Sequence, residues 1–262
     1  MPIADLHVHT DNSDGVLSFD AIPAVARDAG LEAIAVTDHD RPHQNIDAPV
    51  VETGGIRVIH GIELRVESAA GRVDLLGYGL DPTPALREEV RRLQRDRVAR
   101  GARMIERVEE HLDVDLDLTP FEGIGRPHVA RAVAGHPGTE HDFAGTFEHL
   151  IGEDGPCYVE RTVPGFERGR SLLAEACSVV GLAHPLRYDD PAAALELTGE
   201  LDAVERWYPY DRSVDCDLVT AAIEVHGLIA TGGSDAHGET LGAAGVDAES
   251  YRDVRAQLPP PV

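Results

Sequence analysis

With 262 residues and 42% hydrophobic side chains, the chain can bury a core as one large domain or two smaller ones. No early apolar segment and no run of about 18 apolar residues occurs, so neither a signal peptide nor a membrane span is expected. The net charge is −24, from 47 acidic residues against 23 cationic ones, and this argues against a broad grip on nucleic-acid backbones and against DNA as a partner.

The chain opens on Pro2-Ile3-Ala4, which leads into Asp5-Leu6-His7-Val8-His9. On an extended segment residues two apart share a side, so His7 and His9 present two imidazoles in one direction. Imidazole is a favoured ligand of divalent ions, and Asp14 in the following loop offers a hard carboxylate oxygen. Ser18 reads as the N-cap of a helix through Ala21, Ile22, Val25 and Ala26, stopped at Gly30. Residues 31–37 form an apolar run short enough for a buried strand, ending at Thr37-Asp38-His39-Asp40. A strand over 56–63 ends in Glu63, and another over 72–78 contains Asp74. From 85 to 112 the period turns helical, with Leu86, Val90, Leu93, Ile105, Val108 and Leu112 on one stripe. A helix beginning near Arg126-Pro127-His128 and another over 141–151 follow, so 85–155 reads as a mostly helical insertion between barrel units 1–84 and 156–262. The second half alternates again. A helix over 166–179, a strand over 180–183 before His184-Pro185, and a strand over 201–207 are followed by a helix over 214–226. A strand from Leu228 then runs into Gly233-Ser234-Asp235-Ala236-His237, with a short strand over 243–246 and a helix over 250–258 at the end.

Nine residues stand out as metal-ligand candidates: His7, His9, Asp14, His39, Glu63, Asp74, His184, Asp235 and His237. Almost all are expected just past the C-terminal end of a strand, where α/β barrels gather functional side chains. An isolated histidine at a strand end is usually structural, but six strand ends each offering a ligand are hard to explain as packing. One ion needs about four to six ligands, so the set suits two or three ions sharing carboxylates.

The order H-x-H…D-G, T-D-H-D, G-I-E, A-H-P, G-S-D-A-H resembles the polymerase-and-histidinol-phosphatase (PHP) family of metal-dependent phosphoesterases over essentially the whole chain. The blocks Arg126-Pro127-His128-Val129-Ala130 and His184-Pro185-Leu186-Arg187-Tyr188 resemble the subgroup with 3′,5′-nucleoside bisphosphate phosphatase and ribonuclease AM. The resemblance implies a distorted (β/α)7 TIM-like barrel, a multinuclear site on the nine residues above, and a metal-bridging hydroxide attacking phosphorus in line. Mn²⁺ is the first ion expected, with Zn²⁺, Fe²⁺ and Mg²⁺ as alternatives. Asp14, Arg126 and His128 are then the catalytic candidates. Arg126, His128 and Arg187 are the substrate-binding ones, the arginines clamping phosphate and His128 binding substrate or protonating the leaving oxygen. Asp11, Asp38 and Asp40 are candidate orienters of the ligand histidines, Asp11 with the weaker case. One departure stands out: position 74, histidine in the subgroup, is aspartate here, a harder donor with a shorter reach.

The expected substrate is a small phosphorylated molecule, a nucleotide first and short RNA second. Three alternatives have discriminating features. A 5′-3′ exoribonuclease would use the same site. An amidohydrolase-like enzyme usually carries a carboxylated lysine, and this sequence has no lysine. A non-catalytic degenerate module would have lost ligands. Trp207, Tyr208 and Tyr210 are candidates for stacking a base, with a core or rim role the default. All 23 cations being arginine, on so acidic a chain, resembles proteins adapted to molar salt, where the Debye length shrinks to about 3 Å. Cys157, Cys177 and Cys216 are scattered and odd in number, which points to the cytoplasm rather than to a disulfide framework.

Overall fold

The computed structural model describes residues 2–262. It divides into two compact units, Met1–Glu88 with Val163–Val262, and Glu89–Thr162. The expected boundaries are 84/85 and 155/156, and the first of them falls inside one continuous helix, Pro84–Leu112. No helix among the described residues is long and apolar enough to cross a membrane.

In chain order the strands are β1 (Ala4–Val8), β2 (Ala33–Val36), β3 (Val50–Thr53), β4 (Ile56–Ser68), β5 (Gly71–Tyr78), β6 (Val179–Leu182), β7 (Ala203–Trp207) and β8 (Ile229–Gly232). The helices are α1 (Ile22–Asp28), α2 (Pro84–Leu112), α3 (Arg126–Gly135), α4 (Phe143–Thr146), α5 (Phe166–Ala174), α6 (Pro191–Glu196), α7 (Cys216–His226) and α8 (Ala248–Gln257). One sheet runs β1-β2-β4-β5-β6-β7-β8, with β3 paired to β4 outside this path. The seven strands of the path and their flanking helices make the curled α/β barrel that the sequence leads one to expect.

The distortion lies in β4 and β5. β1, β2 and β4 are parallel, β5 runs antiparallel to both β4 and β6, and β6, β7 and β8 are parallel again. The cause is local. Ser68 Oγ donates to the Gly71 carbonyl at 2.7 Å, and Gly71 takes φ 86°, so the chain turns back on itself without a crossover helix. The barrel ends meet where the chain beyond β8 returns to β1: Val8 bridges Ala236 in parallel, and the His9 N–H donates to the Ala236 carbonyl at 3.0 Å.

Apolar clusters pack on both sides of the sheet in this unit. Ile22 and Ala26 of α1 pack with Ile34, Val36 and Val58 on one side of the sheet. Leu6, Ala35, Ile59, Leu76 and Tyr78 pack with Tyr251 and Val254 of α8 on the other. Burying each such Leu or Ile contributes roughly 1.5–3 kcal/mol, and β1 is buried along its whole length. The second unit has its own core, in which Met104, Ile105 and Val108 of α2 meet Ile124, Val129, Val133, Leu150 and Ile151.

Several sequence expectations shift. α1 begins at Ile22 with Ala21, not Ser18, at its N-cap position. The preceding loop is tied elsewhere, Asp11 N–H to the Leu17 carbonyl and Val16 N–H to the His237 carbonyl, and the Ser18 and Phe19 carbonyls accept from the Ala21 and Ile22 N–H groups in a tight turn ahead of the helix. The helix expected over 141–151 is α4 followed by a wider turn, Phe147–Ile151. The strand expected over 243–246 is a single bridge, Ala4 to Val246.

Candidate metal centre

All nine ligand candidates lie in the first unit and converge there. β1 carries His7, and His9 follows it on the same side. Glu63 sits mid-way along the long β4 and Asp74 within β5, rather than past a strand end. His184 and Asp235 adopt φ of 29° and 50°, backbone settings uncommon for residues with a Cβ that cluster at functional sites.

Glu63 is the hub. Its Oε1 lies 3.1 Å from His184 Nε2 and 3.5 Å from His7 Nε2. Its Oε2 lies 2.6 Å from His39 Nδ1 and 3.4 Å from His9 Nε2. Asp235 Oδ1 reaches His9 Nε2 at 3.1 Å and His7 Nε2 at 3.5 Å. Asp14 faces His237 Nε2 at 3.3 Å and His39 Nε2 at 3.7 Å. Three groups have ligand atoms all within 4.8 Å of one another: His9, Asp14, His39 and His237; His7, His9 and Glu63; Glu63, Asp74 and His184. His9 and Glu63 belong to two groups each, and of the two only the Glu63 carboxylate has a separate oxygen to offer each of two neighbouring ions.

The donors fit divalent cations. His7 Nε2 is buried and makes no hydrogen bond among the described residues. Mixed imidazole and carboxylate donors at this density suit manganese, iron or zinc. Charge is balanced inside the cluster. Burial works to raise the pKa of Glu63, Asp14 and Asp235, yet the adjacent imidazoles hold all three well below the ordinary carboxylate range. Burial, with His237 and His39 beside it, lowers His9 to about 4. His7 goes the other way: burial would lower it, but Glu205, Asp235 and Glu63 raise it well above the ordinary value. Burial likewise opposes, and Asp14 and Asp235 outweigh it, at His237, which is also raised.

These signs give a test. Raised pKa values favour the protonated forms of His7 and His237 in the metal-free protein, and a ligand nitrogen must lose its proton to bind. Metal uptake at about pH 7 is expected to release about one to two protons, with affinity rising from about pH 6 to about pH 8. Titration calorimetry in buffers of different ionisation enthalpy measures the release; none would contradict the assignment of these imidazoles.

Several residues support the cluster from outside the ligand set. Glu205 on β7 is fully buried and accepts from His7 Nδ1 at 3.1 Å and from the His184 N–H at 2.7 Å, orienting two candidate ligands. Asp5 accepts from the Ser234 N–H at 2.9 Å, the Ser234 hydroxyl at 2.5 Å and the Gly242 N–H at 2.8 Å, pinning the Asp235 loop to β1. Asp38 accepts from the Thr10 N–H and hydroxyl, both at 2.7 Å, and from the Ser13 hydroxyl at 2.7 Å. It therefore builds the Asp14 loop rather than holding a histidine. Asp40, at φ 55°, accepts from the Arg65 N–H at 3.2 Å and so fastens its loop to β4.

Arg187 stands at the rim with its side chain half exposed. Its Nη1 lies 3.0 Å from Asp235 Oδ2 and 3.0 Å from the Tyr208 hydroxyl, which donates to the same Oδ2 at 2.9 Å. Tyr208 is thus a positioning group for Asp235, a role the sequence reading missed. A cavity of about 450 Å³ beside it is lined by Arg187, Tyr208, Tyr210 and Arg212, among others.

Arg126 and His128 lie in the second unit, at the start of α3. The Gly125 N–H donates to His128 Nδ1 at 3.1 Å, and the Arg126 guanidinium lies 5.7 Å from the Phe147 ring centre. Several arginines of this unit lie near one another. Arg100 is lowered to about 9 by burial and by Arg161, Arg126 and Arg97.

Residues 5–118 match the family model of the PHP domain. The phosphoribosyl 1,2-cyclic phosphate 1,2-diphosphodiesterase of Eggerthella lenta is 27% identical over 248 residues, covering 90% of this chain and 95% of that protein. The 3′,5′-nucleoside bisphosphate phosphatase of Chromobacterium violaceum is 27% identical over 251 residues, 89% of this chain and 86% of that one. Among solved structures, a candidate metal-dependent phosphoesterase of Bifidobacterium adolescentis shares the fold with a TM-score of 0.81 at 22% identity, over 98% of this chain and 96% of that one. Together with the five motif blocks and their convergence on one buried cluster, these likenesses mark residues 5–118 as matching a PHP domain and the chain as similar to metal-dependent phosphoesterases of that kind.

Proposed function

We propose that the chain is a metal-dependent phosphoesterase hydrolysing a phosphate monoester of a 3′,5′-bisphosphate nucleotide, with Mn²⁺ as its ion. The observation that carries this reading is Glu63, whose two oxygens face different imidazole pairs, His7 with His184 and His9 with His39. A carboxylate so placed suits the clamp of a multinuclear phosphoesterase. Bound ions supply Lewis acidity toward phosphate oxygens and a nucleophile at neutral pH.

The remaining work falls to the chain. Arg187 is held by Asp235 and Tyr208 through one nitrogen and keeps its other N–H donors for phosphate oxygens. The adjoining cavity offers the rings of Tyr208 and Tyr210 to a base and Arg212 to a second phosphate. Glu205 keeps His7 in the tautomer that aims Nε2 inward. Asp14, in the His237 and His39 group, serves as a ligand and is the catalytic carboxylate of this reading. The phosphate-clamping role of Arg126 and the leaving-oxygen role of His128 rest on their sequence motif. The acidic, lysine-free composition fits work in molar salt, and the three free cysteines fit the cytoplasm.

The name of the Eggerthella relative, similar over 90% of this chain, makes a cyclic phosphate diester of a phosphorylated ribose the second reading. The test is phosphate release in high salt with Mn²⁺ from 3′-phosphoadenosine 5′-phosphate, beside ring opening of a ribose 1,2-cyclic phosphate and trimming of a short 5′-phosphorylated RNA. A His7→Ala protein is the control. Fastest turnover of the bisphosphate is expected. Dominant ring opening or RNA trimming would reassign the substrate, and no metal-dependent turnover of any of them would overturn the phosphoesterase reading.

A further inference from the structure

β4 and β5 pair so that Arg65 lies directly across from Asp74. The guanidinium meets the carboxylate as a two-pronged fork, Nε to Oδ1 at 2.8 Å and Nη2 to Oδ2 at 2.5 Å. This is the strongest geometry available to such a pair. Asp74 is buried, while the Arg65 side chain keeps 32% of its surface exposed and so also faces outward. Asp74 is further fixed through its backbone, whose N–H donates to the Tyr188 hydroxyl at 2.8 Å.

Arg65 follows Glu63 by two residues on the same strand and shares its face. Asp74 Oδ2 is 3.8 Å from His184 Nε2, which is 3.1 Å from Glu63 Oε1. The guanidinium therefore sits one carboxylate oxygen away from the third ligand group, Glu63, Asp74 and His184. A neutral histidine at position 74 would present a lone pair to an ion there. Asp74 presents a carboxylate whose charge is already cancelled, beside a permanent cation that repels a second one.

We propose that this chain holds two metal ions rather than three, and that Arg65, anchored on Asp74, supplies the positive charge at the third position and contacts substrate phosphate there. The inference rests on the metal-dependent reading above. A guanidinium neutralises phosphate oxygens and directs hydrogen bonds at them, but it provides no exchangeable coordination position.

The test counts ions. Protein loaded with Mn²⁺ and desalted is analysed for metal per chain by mass spectrometry, as wild type and as Asp74→His/Arg65→Met. Two ions in the wild type and three in the double variant are expected. Three in the wild type would overturn the inference and leave the metal-dependent reading intact; none or one would overturn both. A folded double variant that stays at two would remove Arg65 and Asp74 as the cause. Should that variant not fold, Arg65→Gln decides. At an unchanged count of two ions, its binding of inorganic phosphate should weaken by about tenfold or more, and unchanged binding would overturn the role given to Arg65.

Discussion

Replacing Glu63 with glutamine is expected to lower kcat/KM by on the order of a thousandfold or more, and to strip metal from the protein, while the fold survives. The side chains have nearly the same shape, so packing in a fully buried position is kept. What changes is charge and donor type. Glu63 Oε1 stands 3.1 Å from His184 and Oε2 stands 2.6 Å from His39, so one anion serves both halves of the cluster. Glutamine removes the negative charge and turns one acceptor into a donor aimed at imidazoles. His7, whose pKa Glu63 helps to raise, loses one of its three carboxylate neighbours. Both ions of the proposed centre would then lack the ligand they share. Metal content by mass spectrometry, kcat/KM with saturating Mn²⁺ and a thermal melt separate these effects. A folded variant that keeps its metal and more than about a tenth of its activity would rule out Glu63 as the shared ligand.

The site was legible because most of its ligands come in short local patterns. Two-residue spacing on a strand aims His7 and His9 together, and Thr37-Asp38-His39, Gly61-Ile62-Glu63 and Ser234-Asp235-Ala236-His237 each mark one strand's approach to the centre. What supports those ligands was not legible, since it depends on pairings distant in sequence. Glu205 reads as an ordinary charged residue in Ala203-Val204-Glu205, and its value comes from His7, 198 residues away. Asp5 is a closing residue only because Ser234 and Gly242 return to it. The meaning of Asp74 depends on Arg65, and their register is set by the tight turn between β4 and β5. The same turn reverses β5, against the strand–helix alternation that the sequence suggests. α1 misled in the opposite way: Ser18 has the right chemistry for a cap, but the ligand loop claims the backbone around it.

Gly233 is the position where the fold and the site depend on one missing side chain. A Cβ there would lie 2.3 Å from His7 Cβ and 2.4 Å from His7 N, closer than packed atoms approach. The two backbones cannot separate freely. Gly233 N–H donates to the Trp207 carbonyl at 3.0 Å, Ser234 N–H to Asp5 at 2.9 Å, and His9 N–H to the Ala236 carbonyl at 3.0 Å. These bonds close the barrel between β1 and the chain after β8, and they also set His7 and His9 against Asp235 and His237. Gly233→Ala is therefore expected to destabilise by about 4 kcal/mol or more, beyond the range of ordinary overpacking, and Gly233→Val to prevent folding. Gly135 at the end of α3 is the control. Nothing lies within 4 Å of a Cβ there, so Gly135→Ala should shift stability by no more than about 1 kcal/mol in either direction. Urea denaturation of the metal-free proteins measures both changes without invoking activity. Were Gly233→Ala to lie within about 1 kcal/mol of wild type, the close approach would not constrain the protein. Were it to fold with weakened metal binding, the strain would have been relieved by moving His7. In that case the barrel seam, rather than the ligands' own chemistry, sets the spacing of the centre.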